Sequence, residues 1–300
     1  MTAELLVIIF LAALWYGIVP VAGAFVERRI WRFFRRRFIE LRKKPLLDYA
    51  GLVGGGQPEY KFYGVFESVS PNGILWMKSE GLTVRADLRK ANIYVFPNAG
   101  AEGNVPVFDP EEVPEKIRWN RISSLTKKAK VFAGGALTER DNQRIFASLP
   151  DTPLFIIFYE GSENTLAMRA VRAGRHRNEF FNFLTPYAFI LGAFSQILIA
   201  FTYLSRPAHR FTLIAALIAL FTPLLPWIPP GMLFTTAYRR LWVHARAIRA
   251  DRDLARFNGL TVRGYTRRAY ILEVISWVLL LAGIVVNVFF ITLVIPFIRF

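Results

Sequence analysis

Four stretches of the chain, 5–26, 185–204, 211–238 and 271–298, are almost uninterruptedly apolar. Each reaches the length of about 20 residues that an α-helix needs to cross a hydrocarbon core. The first three carry no charge, and the fourth carries only Glu273 near its start. The pattern predicts four transmembrane helices, the second and third joined as a hairpin by the tight turn 205–210. The third is expected to kink, because Pro223, Pro226, Pro229 and Pro230 fall close together and each lacks a backbone donor.

From Tyr60 the period shortens to two, with runs of Val, Ile, Phe and Tyr separated by turn residues. YKFYGVFESV and ILWMKSE are expected to form a hairpin across Asn-Gly, with LTVRADL and NIYVF following as strands. AKVFAGGAL should pair with QRIFASL across TERDN, and PLFIIFY with TLAMRAV across EGSEN. Gly134-Gly135 inside the first of these runs reads as a bulge. The polar, proline-rich segment from Pro97 to Lys116 reads as a loop. These short runs predict an all-β domain, a small antiparallel barrel or sandwich, over residues 60–172. Residues 27–59 then form a basic juxtamembrane helix and a Gly-rich linker, 173–184 an interfacial segment, and 239–270 a basic amphipathic segment.

Charge supplies orientation. The formal net charge is +16, but it is not spread evenly. Residues 27–44 hold nine Lys or Arg against two acids, and 238–270 another nine against two, whereas 45–182 hold seventeen against sixteen. Short basic blocks beside apolar spans resist translocation. Both blocks therefore belong in the cytoplasm, which places the β domain there and both termini outside. An even number of crossings separates the two blocks, so the two assignments agree. The near-neutral β domain argues against nucleic acid as a partner. The chain reads as a multi-pass protein of a bacterial-type inner membrane, its first span an anchor and not a cleavable leader.

Candidate chemistry is sparse. With no cysteine, the chain has no thiol nucleophile, disulfide or Cys-ligated metal. No phosphate-binding loop, dinucleotide fingerprint or nucleophile elbow occurs, so no cofactor is expected and no catalytic or metal residue is assigned. Arg35, Arg36, Arg37, Arg172, Arg175, Arg177, Arg239 and Arg240 are candidate contacts to anionic lipid headgroups. Gln196, Glu273 and Asn287 are polar residues inside apolar spans, either a polar path or bonds between helices. His176 and Glu179 could form an acid/base pair. The competing reading, preferred here, makes 172–187 an interfacial anchor in which Glu179 pairs with Arg175 across one helical turn and Thr185-Pro186 starts the second span.

The order of one span, a membrane-adjacent β domain and further spans over residues 1 to about 205 resembles two groups of membrane-tethered β modules. These are the NfeD-like proteins, with a small OB-type barrel, and the "beside a membrane" domain of the GIDE family. The resemblance is one of layout and brings no functional residue. The leading expectation is a non-enzymatic membrane protein whose β domain binds or scaffolds a partner protein, with self-association into a homo-oligomer left open. A transporter or channel component, and an enzyme acting on a lipid-linked substrate, are the alternatives.

Overall fold

The structure, a computed structural model, describes residues 2–54, 59–97, 113–124, 129–140, 143–175, 179–206, 210–257 and 264–294. In chain order the elements are α1 (Thr2–Ala13), a π-helical turn (Leu14–Ile18), α2 (Val19–Arg42) and α3 (Tyr49–Gly54). Then come β1 (Tyr60–Val69), β2 (Ile74–Ser79), β3 (Leu82–Asp87), β4 (Asn92–Val95), β5 (Glu115–Ile117) and a 3-10 turn (Trp119–Ser124). After these follow β6 (Lys130–Arg140), β7 (Gln143–Ala147), β8 (Phe155–Tyr159), α4 (Glu163–Arg172), α5 (Thr185–Leu204), α6 (Arg210–Leu220), a second 3-10 turn (Thr222–Trp227), α7 (Gly231–Phe257) and α8 (Tyr265–Val294). The chain divides into two units, 31–175 and the remainder.

Among the described residues, three helices are long and apolar enough to cross a membrane: Ala3–Arg42, Thr185–Leu204 and Tyr265–Phe290. The first runs as one continuous helix through α1, the π-helical turn and α2, and the division between the two units falls within it, at Ile30/Trp31. In the helical unit the first helix and α5 run antiparallel, with Ile8, Ala200, Ala216 and Ala219 of α1, α5 and α6 buried together. Small side chains let these backbones approach closely where no hydrophobic drive separates protein from lipid. The predicted third span is the one that departs from expectation. Instead of one kinked helix over 211–238 there are α6, a 3-10 turn at the prolines, and α7. At 1.5 Å per residue α6 extends only about 16 Å, roughly half a hydrocarbon core. Past the break, α7 carries the last turns of the predicted span, from Gly231 to Tyr238, and most of the basic block as one helix.

The other unit is built on a mixed eight-stranded sheet in the order β1-β2-β3-β7-β6-β8-β4-β5, with β1 also pairing β6. The predicted hairpins β1–β2 and β6–β7 are antiparallel pairs, and β3 adds antiparallel to β2. However, β3–β7 and β4–β8 are parallel, which corrects the all-antiparallel expectation. The predicted strand 165–171 is also overturned, since it lies in helix α4. Ser162 caps that helix, accepting from the Thr165 N–H at 3.2 Å. Leu166, Ala167, Ala170 and Ala173 then fall on one face and are buried.

That helix and the C-terminal half of α2 cover one face of the sheet. Trp31, Phe34, Phe38 and Leu41, spaced three, four and three residues apart, pack with Phe132 of β6, Tyr94 and Phe96 from β4 onward, and Phe155, Ile157 and Tyr159 of β8. The intervening residues Val131, Ala133, Ile156 and Phe158 point the other way, into a second core with Phe62, Leu75, Met77, Val84 and Phe146. Strand β8 is thus apolar throughout because both of its faces are covered. Gly134, predicted to mark a bulge, continues the regular register of β6 with β1 and β8. Its role is close approach, because a Cβ there would come within 2.8 Å of Leu41 Cδ1. The register irregularity lies instead in β1, between Phe66 and Ser68.

Phe34 is fully buried at the centre of the helix-to-sheet contact. Phe34→Ala should cost the sheet unit about 3–5 kcal/mol. Thermal unfolding of the purified full chain, followed by protease susceptibility of the sheet unit, reads this directly; a midpoint equal to wild type would remove α2 from the core.

Candidate functional site

At the helix break, Asn287 of α8 bonds backbone groups on either side of the α7 start. Its Oδ1 accepts from the Gly231 N–H at 2.9 Å, an orphan donor at the start of α7, and its Nδ2 donates to the Ile228 carbonyl at 3.0 Å. Asn287 is buried, and a Cβ on Gly231 would fall 2.0 Å from its Nδ2. Such a contact requires glycine at the start of α7. Gln196 is equally buried, and its Nε2 donates to the Ile8 carbonyl at 3.3 Å, joining α5 to α1. Two of the three predicted intramembrane polar residues are therefore bound to backbone of neighbouring helices.

The third, Glu273, enters an ionic chain. Arg249 donates to its Oε2, and Arg246 Nε lies 3.7 Å from its Oε1. A terminal nitrogen of Arg246 also lies 3.5 Å from Glu179 Oε2, which receives Arg28 Nε at 2.8 Å. Glu179 is thus engaged by Arg28 and Arg246, where the sequence had suggested Arg175. Described residues 179–184 form turns and not the helix that pairing required. The indole of Trp242 carries the Arg246 guanidinium 4.4 Å from its ring centre and that of Arg28 at 5.8 Å. Burial pulls the Arg246 pKa down to about 10, with Glu179 acting in the opposite direction. The sequence could not show this cluster, because its members come from α2, the segment before α5, α7 and α8.

At the far end of the same helix pair, Glu4 accepts from the Tyr203 hydroxyl at 3.2 Å and from Thr212 Oγ1 at 3.0 Å. Asn182 Nδ2 donates to the Pro20 carbonyl at 2.8 Å. Thr185, expected as an N-cap, is the first residue of α5, and its hydroxyl donates to the Phe180 carbonyl.

The candidate headgroup arginines divide. Arg239 and Arg240 are exposed on α7, and Arg36 is exposed and pairs with Glu40 at 3.0 Å. Arg37 is not available to lipid: it is buried and paired with Glu59, whose other oxygen takes Lys44 Nζ at 3.2 Å. Arg35 donates to the Ala173 carbonyl at 2.6 Å. Arg175 is buried, donating to the Val171 carbonyl at 2.9 Å. Arg172 ends α4. Arg177 and His176 lie outside the described residues, and so does the predicted acid/base pair.

No family model, no curated protein and no solved structure matches the chain.

Two consequences are measurable. Asn287→Leu leaves the Gly231 N–H without its acceptor and the Ile228 carbonyl with the Met232 N–H as its remaining donor, and should lower stability by about 1–3 kcal/mol. A melting curve in detergent tests it, and an unshifted midpoint would show that the amide bridge contributes nothing. Separately, burial tends to raise the Glu59 pKa, but hydrogen bonds and charge from Arg37 and Lys44 outweigh it and leave the carboxyl below its usual value. A depressed carboxyl stabilises the fold above the unfolded value of about 4.3 and loses that contribution as pH falls through the folded value. Glu59→Gln should therefore cost stability at pH 7, with the gap from wild type closing on acidification below pH of about 4. A gap independent of pH would assign the effect to packing.

Proposed function

We propose that the chain is an integral membrane protein of a bacterial-type inner membrane whose sheet domain, on the cytoplasmic side, binds or scaffolds a partner protein at the membrane surface. The observation that carries this reading is the helix Ala3–Arg42: a membrane-length apolar stretch that continues, with no intervening loop, into four core residues of the sheet domain. A domain joined in this way is held at the bilayer surface and serves best where its ligand or partner is also found there.

Four crossings are the finer reading. In it α6, the 3-10 turn and the start of α7 together make the third crossing, its broken backbone sealed by Asn287. The sheet domain is read as a small closed barrel. Supporting this, β1-β2-β3-β7-β6 is a continuous series of pairings and β6 pairs β1 again. This arrangement also keeps the layout-level likeness to membrane-tethered OB-type modules. The Asn287 amide is engaged with backbone at both its oxygen and its nitrogen, and the Gln196 amide through its Nε2, which weighs against the transport alternative. Two guanidiniums on Glu179 weigh against its use as a general base for lipid-linked chemistry.

Because the chain has no cysteine, single-cysteine reporters can be introduced on a clean background. Ser205→Cys should react with an impermeant maleimide on intact cells, while Lys78→Cys should react only after permeabilisation. Crosslinkers placed on the sheet domain in cells should then recover one recurring protein. Labelling of Lys78→Cys on intact cells would invert the topology, and absence of any recurring adduct from several surface positions would remove the partner reading.

A further inference from the structure

One groove on the sheet unit has a composition unlike the rest of that near-neutral domain. It has a volume of about 520 Å³ and is lined by Arg85, Arg89, Arg140, Trp119 and Asn72, among others. Its walls come from separate places in sequence: the β1–β2 turn, the end of β3, the 3-10 turn at Trp119 and the end of β6. Their convergence is specific. Gly73, at φ +76°, closes the turn by donating to the Ser70 carbonyl at 2.9 Å. A Cβ there would come within 3.1 Å of Arg89 Cγ and 3.6 Å of the Trp119 ring. The turn backbone therefore forms a floor against which the arginine stem and the indole both pack.

Asp87 holds two of the guanidiniums in place. Its Oδ1 receives Arg89 Nε at 2.9 Å, and its Oδ2 receives a terminal nitrogen of Arg89 and, at 3.2 Å, Arg140. Arg85 is steadied separately, 5.1 Å above the Trp76 ring. Each guanidinium has five N–H donors, so one carboxylate uses a minority of those that Arg89 and Arg140 offer. Among the described residues, three guanidiniums against one carboxylate leave two net positive charges in the groove.

We propose that this groove binds a small phosphorylated ligand, its phosphate clamped by Arg89 and Arg140 and its remaining part lying toward Trp119. Planar guanidinium forks match phosphate oxygens in pairs, and Asp87 has already fixed their orientation. A phosphate monoester carries about −1.5 to −2 charges, which balances the groove, whereas a single carboxylate would not. The volume falls within the range of about 300–1,000 Å³ of small-molecule sites. A nucleic-acid polymer would need a basic track extending beyond the groove, and residues 45–182 hold only one more basic than acidic residue. The site stands independently of the protein-partner reading, since it requires no second macromolecule.

The test uses the full chain in phosphatidylcholine nanodiscs, titrated calorimetrically with pyrophosphate and with ATP. Saturable one-to-one binding, at about 1 mM or tighter, is expected. Arg89→Gln with Arg140→Gln should weaken it at least about tenfold, the effect of losing one charge-assisted contact or more. The double variant removes both counter-ions of Asp87, so its melting midpoint should fall, and the titrations are run well below that midpoint so that the affinity is read on folded protein. Tighter binding of ATP than of pyrophosphate identifies a nucleotide, with its ring toward Trp119; equal affinities identify a free phosphoryl group. The proposal is overturned by any of three results: no saturation by either probe, unchanged affinity in the double variant, or an oligonucleotide that binds with length-dependent affinity where both small probes fail.

Discussion

A bilayer interior offers no hydrogen-bond partner, and that constraint organises the helical unit. Every break in regular backbone or polar side chain within an apolar stretch needs a partner from protein. The prolines between α6 and α7 create the largest such demand, and the amide of Asn287 meets it with one donor and one acceptor. Gln196 gives its Nε2 to the Ile8 carbonyl, and Glu4 collects two hydroxyls from α5 and α6. Where the helices must touch, they do so through alanine and glycine. A Cβ on Gly192 would lie 2.5 Å from the Tyr16 ring, beside the π-helical turn of the first helix.

The sheet unit answers a different constraint, since both faces of β8, β6 and β4 are apolar and must be covered. Helix α2 covers one of them with a stripe of aromatic residues, while its arginines occupy the remaining positions. One sequence, residues 31–42, therefore satisfies two demands by helical periodicity alone: Trp31, Phe34, Phe38 and Leu41 turn inward, and Arg36 turns outward. Arg37 is the exception that requires a buried counter-ion, and Glu59 with Lys44 completes that pair.

Local patterns in the sequence carried the strands and the apolar helices well, because period and turn chemistry are properties of neighbouring residues. YKFYGVFESV-PNG-ILWMKSE forms the hairpin its Asn-Gly announces. What failed was arbitration between two local signals. TLAMRAV alternates enough to read as a strand, yet Ser162 caps it and Leu166, Ala170 and Ala173 repeat at helical spacing. The cap decides. Non-local facts were out of reach. Nothing in the neighbourhood of Gly134 reveals that Leu41 presses on it from about ninety residues away in sequence. Neither parallel pairing can be read from the strands that make it. Among the site residues, Gln196 and Asn287 were identifiable because polarity inside an apolar run is itself anomalous. Arg85, Arg89 and Arg140 were not, since scattered arginines in a neutral domain carry no signal until the fold gathers them.

In the proposed topology the basic blocks have two separate roles that act at different stages. Orientation by positive charge operates on a chain entering the membrane, before its side chains have found their final partners, so every arginine contributes regardless of where it ends. Once folded, several of those same charges are consumed: Arg28 and Arg246 by Glu179, Arg249 by Glu273, Arg37 by Glu59. Among the described residues of the blocks, Arg29, Arg32, Arg36, Lys43, Arg239, Arg240, Arg267 and Arg268 are exposed. Counting charges along the sequence therefore measures the first role and overstates the surface left for the second. The proposed topology relies on the first. Attraction to anionic lipid would rest on the exposed set alone, whereas orientation would draw on every basic residue of the blocks.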